Sequence, residues 1–222
     1  VVTDRGLWIA HRDDRADLAG FVAAALRIDA AAVIRLRARP DGRVAAWAGT
    51  GLDVLATRAV RARLQPGDVT AAAATLAAGL RDDPGVGPGD AVDLGYPMES
   101  AWRGALPPER GFRPIDDIPA RMVIELADRG AGVVRGLPGG PGPPTALLNQ
   151  HVLSVTGPGG AADIPLRVVF ALVAMRFLPQ AAEGVDPAER VRVRVTDAWL
   201  RLDARYGAVT RRRDGGLPLL IG

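Results

Sequence analysis

The chain has 222 residues, 48% hydrophobic and 24% charged, a globular balance that suits one large or two small domains. It has no cysteine, and all 28 of its strongly basic side chains are arginine, which excludes disulfides, thiolate chemistry, Schiff bases and a Walker-type phosphate lysine. Net charge is only +3, so the pI of 10.4 reflects the scarcity of groups titrating between the carboxylates and arginine, and any binding of an anion must rest on a local patch.

The excess of Ala, Gly, Arg, Pro, Val and Asp is what GC-rich codons encode, so the arginine content is a compositional bias before it is a functional signal. The stretch VVTDRGLW has no basic region followed by an apolar core, so neither a signal peptide nor a membrane anchor is expected, and a cytoplasmic location is the default.

A helix is predicted over 13–28, capped by Asp14, with Leu18, Phe21, Val22, Ala25 and Leu26 on one stripe. Over 32–39, Ala32, Ile34, Leu36 and Ala38 alternate with Val33, Arg35, Arg37 and Arg39. A turn at Pro40, Asp41 and Gly42 returns the chain as a strand over 43–48, which sets Arg35 opposite Trp47. A third strand is expected over 53–64, with a helix as the alternative. Asp68 is then expected to cap an alanine-rich helix over 69–81.

The proline- and glycine-rich stretch 82–114 reads as loop with one short strand over 91–94, and Tyr96, Met98, Trp102 and Phe112 are expected to pack it down. Domains are expected over 1–103 and 115–222, joined by 104–114. In the second, Asp116 and Asp117 are expected to cap a helix that runs to Arg129, with Met122, Val123, Leu126 and Ala127 inward and Gly130 ending it. A strand over 152–156 and a glycine turn over 157–160 follow.

The segment 164–178 is apolar on nearly every side. Its two charges, Arg167 and Arg176, lie nine residues apart and so on opposite helix faces, which predicts a buried helix central to the C-terminal unit. Its uninterrupted apolar run is too short to span a bilayer. Beyond it, Val191, Val193 and Val195 alternate with Arg190, Arg192 and Arg194, and 199–203 and 208–212 continue as a hairpin. From Arg190 to Arg213 there are eight arginines against Asp197 and Asp203, a local balance of +6 that leaves −3 for the rest of the chain. The expected fold class is α+β: two units, each an antiparallel sheet covered by helices.

The catalytic repertoire is narrow. No glycine-rich stretch contains G-x-G-x-x-G between a strand and a helix, and the prolines in these stretches remove amide donors that a phosphate cradle needs. Ser100 and Ser154 are the only serines, neither within G-x-S-x-G, and His11 and His151 are the only imidazoles, which excludes a histidine-rich metal site. The acidic pairs Asp13/Asp14, Asp82/Asp83 and Asp116/Asp117 are better read as helix caps than as metal ligands or acid/base dyads. No cofactor is expected.

Two constellations remain. Asn149, Gln150 and His151 interrupt an apolar segment and suit either a polar pocket, with His151 as acid or base, or the hydrogen bonding of a loop. The ribbon of Arg192, Arg194, Trp199, Arg201, Arg205 and Arg211 suits phosphates, with the indole available to stack on a base. The same arginine stems can instead simply cover a sheet. A winged helix-turn-helix is disfavoured because 164–178 lacks a polar recognition face. The sequence thus favours a non-enzymatic binding protein that contacts an anionic partner, such as nucleic acid, without base specificity. A small-molecule-binding protein or an enzyme with a polar pocket around Asn149, Gln150 and His151 is one alternative. A homo-oligomer using the apolar helix and the 217–221 tail is another.

Overall fold

The computed structural model describes residues 5–81, 91–137, 142–179 and 184–213. The expectations for Asp82/Asp83, for the glycine stretch 85–89 and for the 217–221 tail lie outside these residues. The fold is α+β, with antiparallel sheets covered by few helices. The chain divides into two compact units, Val1–Ala105 with Ala174–Phe177, and Leu106–Val173 with Leu178–Gly222.

In the first unit, β1 (Gly6–Trp8) precedes α1 (Arg12–Ile28), followed by β2 (Val33–Ala38), β3 (Arg43–Gly49), β4 (Leu55–Arg61), β5 (Arg63–Gln65), β6 (Asp68–Ala72) and α2 (Ala73–Arg81). Strands β2, β3 and β4 form a meander, β6 pairs with the free side of β2, and β5 pairs with β1, all antiparallel. Arg35 stands opposite Trp47 as the three-residue turn requires. One sheet face is apolar, with Ile34, Leu36, Val44, Ala46, Val60, Val69 and Ala71 buried, and α1 lies on β3 and β4 with Leu18, Phe21, Val22 and Ala25 inward. Phe21 stacks on Phe177 at 6.2 Å between ring centroids.

Three sequence expectations fail here for physical reasons. Helix α1 starts at Arg12, with His11 at its N-cap position and no side-chain cap. The buried Asp14 carboxylate instead accepts from the backbone N–H (3.0 Å) and Nε (2.9 Å) of Arg61 at the end of β4. Likewise Asp68 caps nothing. It opens strand β6, because Val69 and Ala71 alternate onto the apolar face, and helix α2 begins only at Ala73. Tyr96 is 89% exposed, so it does not pack the connecting stretch down, whereas Met98, Trp102 and Phe112 are half-buried.

The second unit contains β7 (Arg113–Pro119), α3 (Ala120–Gly136), α4 (Thr145–Leu148), β8 (His151–Gly157), β9 (Gly160–Pro165), α5 (Leu166–Ala174), β10 (Arg190–Val195), β11 (Trp199–Ala204) and β12 (Gly207–Arg212). Its main sheet runs β12-β11-β10-β7, antiparallel throughout, and β8 and β9 form a separate hairpin. Asp116 and Asp117 lie within β7 rather than at a helix start: Ile115 and Ile118 turn into the core, and Asp117 faces Arg192 on β10. Helix α3 continues past Gly130, which is buried at mid-helix. A Cβ there would lie 2.7 Å from Leu166 Cδ1, so the glycine marks a close helix crossing, not a stop. Met122, expected inward, is 39% exposed.

The apolar helix is shorter than 164–178. Ile164 and Pro165 end β9, and Arg176 has left the helix at φ 56°. The burial is real, since Leu166, Val168, Val169, Ala171 and Leu172 are enclosed, and so is Arg167, whose guanidinium donates to Asn149 Oδ1 at 2.6 Å. The turn between β8 and β9 docks on β7 so tightly that a Cβ at Gly157 would sit 1.9 Å from the Ile115 carbonyl oxygen.

Candidate anion-binding ribbon

Strands β10 to β12 form because valine alternates with arginine and leucine with polar residues, so Val191, Val193, Val195, Leu200, Leu202 and Val209 share the buried face. The opposite face is set by register. Arg192 is opposite Asp203 on β11 and Asp117 on β7, Arg194 is opposite Arg201, Arg201 is opposite Thr210, and Trp199 is opposite Arg212. Arg192, Arg194, Trp199 and Arg201 are therefore brought together. Arg205 sits in the turn between β11 and β12, and Arg211, opposite Leu200, belongs to the other face.

The face is an ion-pair lattice. Asp203 Oδ1 accepts from Arg201 Nε at 2.8 Å, and its Oδ2 lies 3.3 Å from Arg194 Nε. Asp117 lies 3.7 Å from Arg192, and Glu189 accepts from Arg205 at 2.8 Å, a hydrogen bond that raises the pKa of that guanidinium. Arg201 also rests against the Phe112 ring at 5.6 Å. Adding Asp117 and Glu189 to the two aspartates of the segment reduces the balance from +6 to +4. The patch stays basic, but its guanidinium groups are positioned by carboxylates. Trp199 is 7% exposed beneath Arg212, 5.5 Å away, so its indole has no open face for a base.

The first unit carries a similar cluster that the sequence reading missed. Asp68 accepts from Arg35 Nε and Nη2, both at 2.8 Å, and Arg35 lies 5.9 Å from the Trp102 ring. The Arg35 hydrogen bond holds the Asp68 carboxyl below the usual carboxylate range and raises Arg35 in return. Reading Asp68 as a cap hid this pair. The arginine alternation in β2 was the signal that could have found it.

Asn149, Gln150 and His151 are all exposed. Asn149 is engaged with Arg167, and His151 Nδ1 lies 3.7 Å from Asp163, whose other oxygen accepts from Ser154 Oγ at 2.5 Å. Among the described residues no three His, Cys, Asp or Glu side chains group as metal ligands, and no helix is long and apolar enough to cross a membrane.

Residues 2–104 match a family described as a domain of unknown function (DUF8010), and residues 107–216 match a second, also described as a domain of unknown function (DUF8185). No curated protein matches the chain. Among solved structures, the fold is similar to the DNA polymerase sliding clamp of Bacillus subtilis, with a TM-score of 0.60 and 15% identity over 96% of this chain and 66% of that one. It is similar also to the sliding clamp of Caulobacter crescentus, with a TM-score of 0.55 and 16% identity over 92% of this chain and 65% of that one. The beta subunit of the DNA polymerase of Streptococcus pyogenes gives 0.56 and 10%, over 94% and 64%. The likeness at these identities is one of fold, and the chain spans slightly less than two thirds of the length of those proteins.

Proposed function

We propose that this chain is a non-enzymatic, clamp-like protein that holds DNA by its phosphate backbone without reading base sequence. The observation that carries the reading is the fold likeness to DNA polymerase sliding clamps, which extends over more than nine tenths of the chain. The arginine ribbon supplies suitable chemistry. Guanidinium groups present paired donors to phosphate oxygens, and phosphate contacts fix position without conferring base specificity. With Trp199 buried, the contact is electrostatic and involves no base stacking, so single- and double-stranded DNA should bind with affinities set by charge density.

The test is binding of fluorescent single- and double-stranded DNA at low salt, repeated as salt is raised. Affinity should fall linearly with salt on logarithmic axes, by a slope of about 0.9 per duplex phosphate contacted. Glutamate at Arg192, Arg194 and Arg201 together should abolish most of it. Absence of binding at low salt, or binding indifferent to those three changes, refutes the reading.

Self-association is a second reading, supported by helix α3. Met122 and Val133 are eleven residues apart, hence within about 20° of one another around the axis. Both are exposed, at 39% and 51%, and Leu137 at the C-cap is 42% exposed. Sedimentation velocity of wild type and of Met122→Ser/Val133→Ser decides it: a concentration-dependent mass that the double change lowers is the expected result, and identical monomers would rule it out.

A further inference from the structure

We propose that the turn end of the first sheet is a second, separate contact for consecutive phosphates of a nucleic-acid strand, formed by Arg39, Arg43, Arg61 and Arg63. The inference rests on the proposed DNA-holding function but uses a different surface. Its basis is register. Arg39 pairs with Arg43 across the turn between β2 and β3, where the Arg39 N–H donates to the Arg43 carbonyl at 2.8 Å, and Arg43 is directly opposite Arg61 on β4. Register therefore sets three arginines side by side at this end of the sheet, Arg39 just past β2, Arg43 on β3 and Arg61 on β4, with the Arg61 guanidinium turned to Asp14 on α1. Like charges directly opposite one another repel, so such a row works against the sheet that carries it.

The counter-charge is incomplete. Arg39 has Asp41 at 3.4 Å and Arg61 has Asp14 at 2.9 Å. The Asp41 carboxylate is further engaged by the backbone N–H of Arg43, at 3.2 Å, not by its side chain. Among the described residues no carboxylate pairs with the Arg43 guanidinium, in the middle of the row, or with that of Arg63, although both side chains are exposed. Strand β5 packs beside β2 and β3, which brings Arg63 to this end of the sheet. Its guanidinium lies 3.5 Å from the centroid of the Trp8 ring, a stacked arrangement that orders the cation without neutralising it. The C-terminal ribbon differs, since Arg192, Arg194, Arg201 and Arg205 each have a carboxylate partner there.

The dimensions suit a strand of phosphates better than a single anion. Two inter-strand spacings make the row about 10 Å long, longer than a single phosphate and enough for more than one along a strand. Two or three consecutive phosphates can therefore supply the missing negative charge, each within reach of a long arginine side chain.

The experiment measures the salt dependence of duplex DNA binding and the thermal unfolding of the full chain, for wild type, Arg43→Ala, Arg43→Ala/Arg63→Ala, and a ribbon control, Arg192→Glu. The proposal expects the slope to fall by about 0.9 for the single change and about 1.8 for the double. The midpoint of unfolding for Arg43→Ala should stay or rise, because a repelled charge has been removed. A merely structural arginine gives the reverse pattern, an unchanged slope with a lowered midpoint, and that overturns the inference. If wild type binds and only Arg192→Glu lowers the slope, this second contact is wrong while the DNA-holding function stands. If wild type binds no DNA at low salt, both fall.

Discussion

Asp203 decides how strongly the ribbon can attract an anion. Its carboxylate faces two arginines at once, Arg201 through Oδ1 and Arg194 through Oδ2, and its side chain is about one-fifth exposed. In Asp203→Asn the ribbon balance rises from +4 to +5 and both guanidinium groups lose the anion that positions them. Exposed ion pairs contribute about 0.2–1 kcal/mol and hydrogen bonds to charged groups about 1.5–3, so two partly screened interactions of this kind should together be worth about 1–2 kcal/mol. For a chain of this size that lowers the melting temperature by about 2–8 °C. Binding should move the other way. If the freed charge contacts one more phosphate, the salt slope grows by about 0.9, which amounts to about an eightfold gain in affinity on going from 1 M to 0.1 M salt beyond that of wild type. Fluorescence titration of duplex DNA at four or five salt concentrations, beside calorimetry of the free protein, reads both quantities. A less stable variant whose affinity and slope match wild type would falsify the idea that phosphate and Asp203 compete for the same arginines.

Other expectations concern the supports of the two sheets. Gly157→Ala places a methyl group 1.9 Å from the Ile115 carbonyl oxygen, where the hairpin turn or β7 must move by more than about 1 Å; a loss of about 1–3 kcal/mol in denaturant unfolding is expected, and a neutral result would mean the turn is not docked as described. Asp14→Ala takes the acceptor from the part-buried Arg61 backbone N–H, while the exposed Arg61 guanidinium can turn to water. It should lose about 1–2 kcal/mol by the same assay, and more than Arg61→Ala, which keeps the backbone N–H and its acceptor; a neutral Asp14→Ala would mean the contact does not support β4. For the Asp68–Arg35 pair the pH dependence has a definite sign. The folded carboxyl is held below its unfolded value, chiefly by the Arg35 hydrogen bond, so the stability it adds is full above about pH 4–5 and is lost as pH falls through the lowered folded value. Asp68→Asn should therefore be less stable at neutral pH and show a shallower loss between pH 5 and 2, while parallel acid-unfolding curves would remove Asp68 from the account.

The parts of the fold legible in the sequence are those in which one physical signal dominated. The Arg/Val alternation of β10 and its hairpin, the turn that puts Arg35 opposite Trp47, and the stripe on α1 are local patterns, and each appears where its periodicity places it. The aspartates were the systematic failure. Asp14, Asp68, Asp116 and Asp117 all precede helical composition, and cap preference is a local rule. In a chain whose only strong cations are arginines, Asp14, Asp68 and Asp117 meet a guanidinium from another strand rather than a helix end, and that partner is visible only once register is known; Asp116 instead accepts from the Asp117 backbone N–H. The burial of Trp199 had the same origin: its position beside arginines was readable, but the depth at which Arg212 covers it was not. Within the candidate ribbon, strand pairing sets Arg194 beside Arg201, on the face of Arg192, and sets Arg211 opposite Leu200 on the other face, a division that alternation along a single strand does not give.

The stacking of Phe177 on Phe21 has a consequence for how the chain is made. Residues Ala174–Phe177 complete the first unit, yet they follow Ala105 by up to 72 positions. At translation rates of about 5–20 residues per second, Ala105 is added about 4–14 seconds before the phenylalanine that stacks on the first helix. During that interval Phe21 lacks its ring partner, and a fragment ending near residue 105 lacks it permanently. The boundary that divides the sequence into two matching families is therefore not a boundary at which the polypeptide can be cut to yield a first half with its native core.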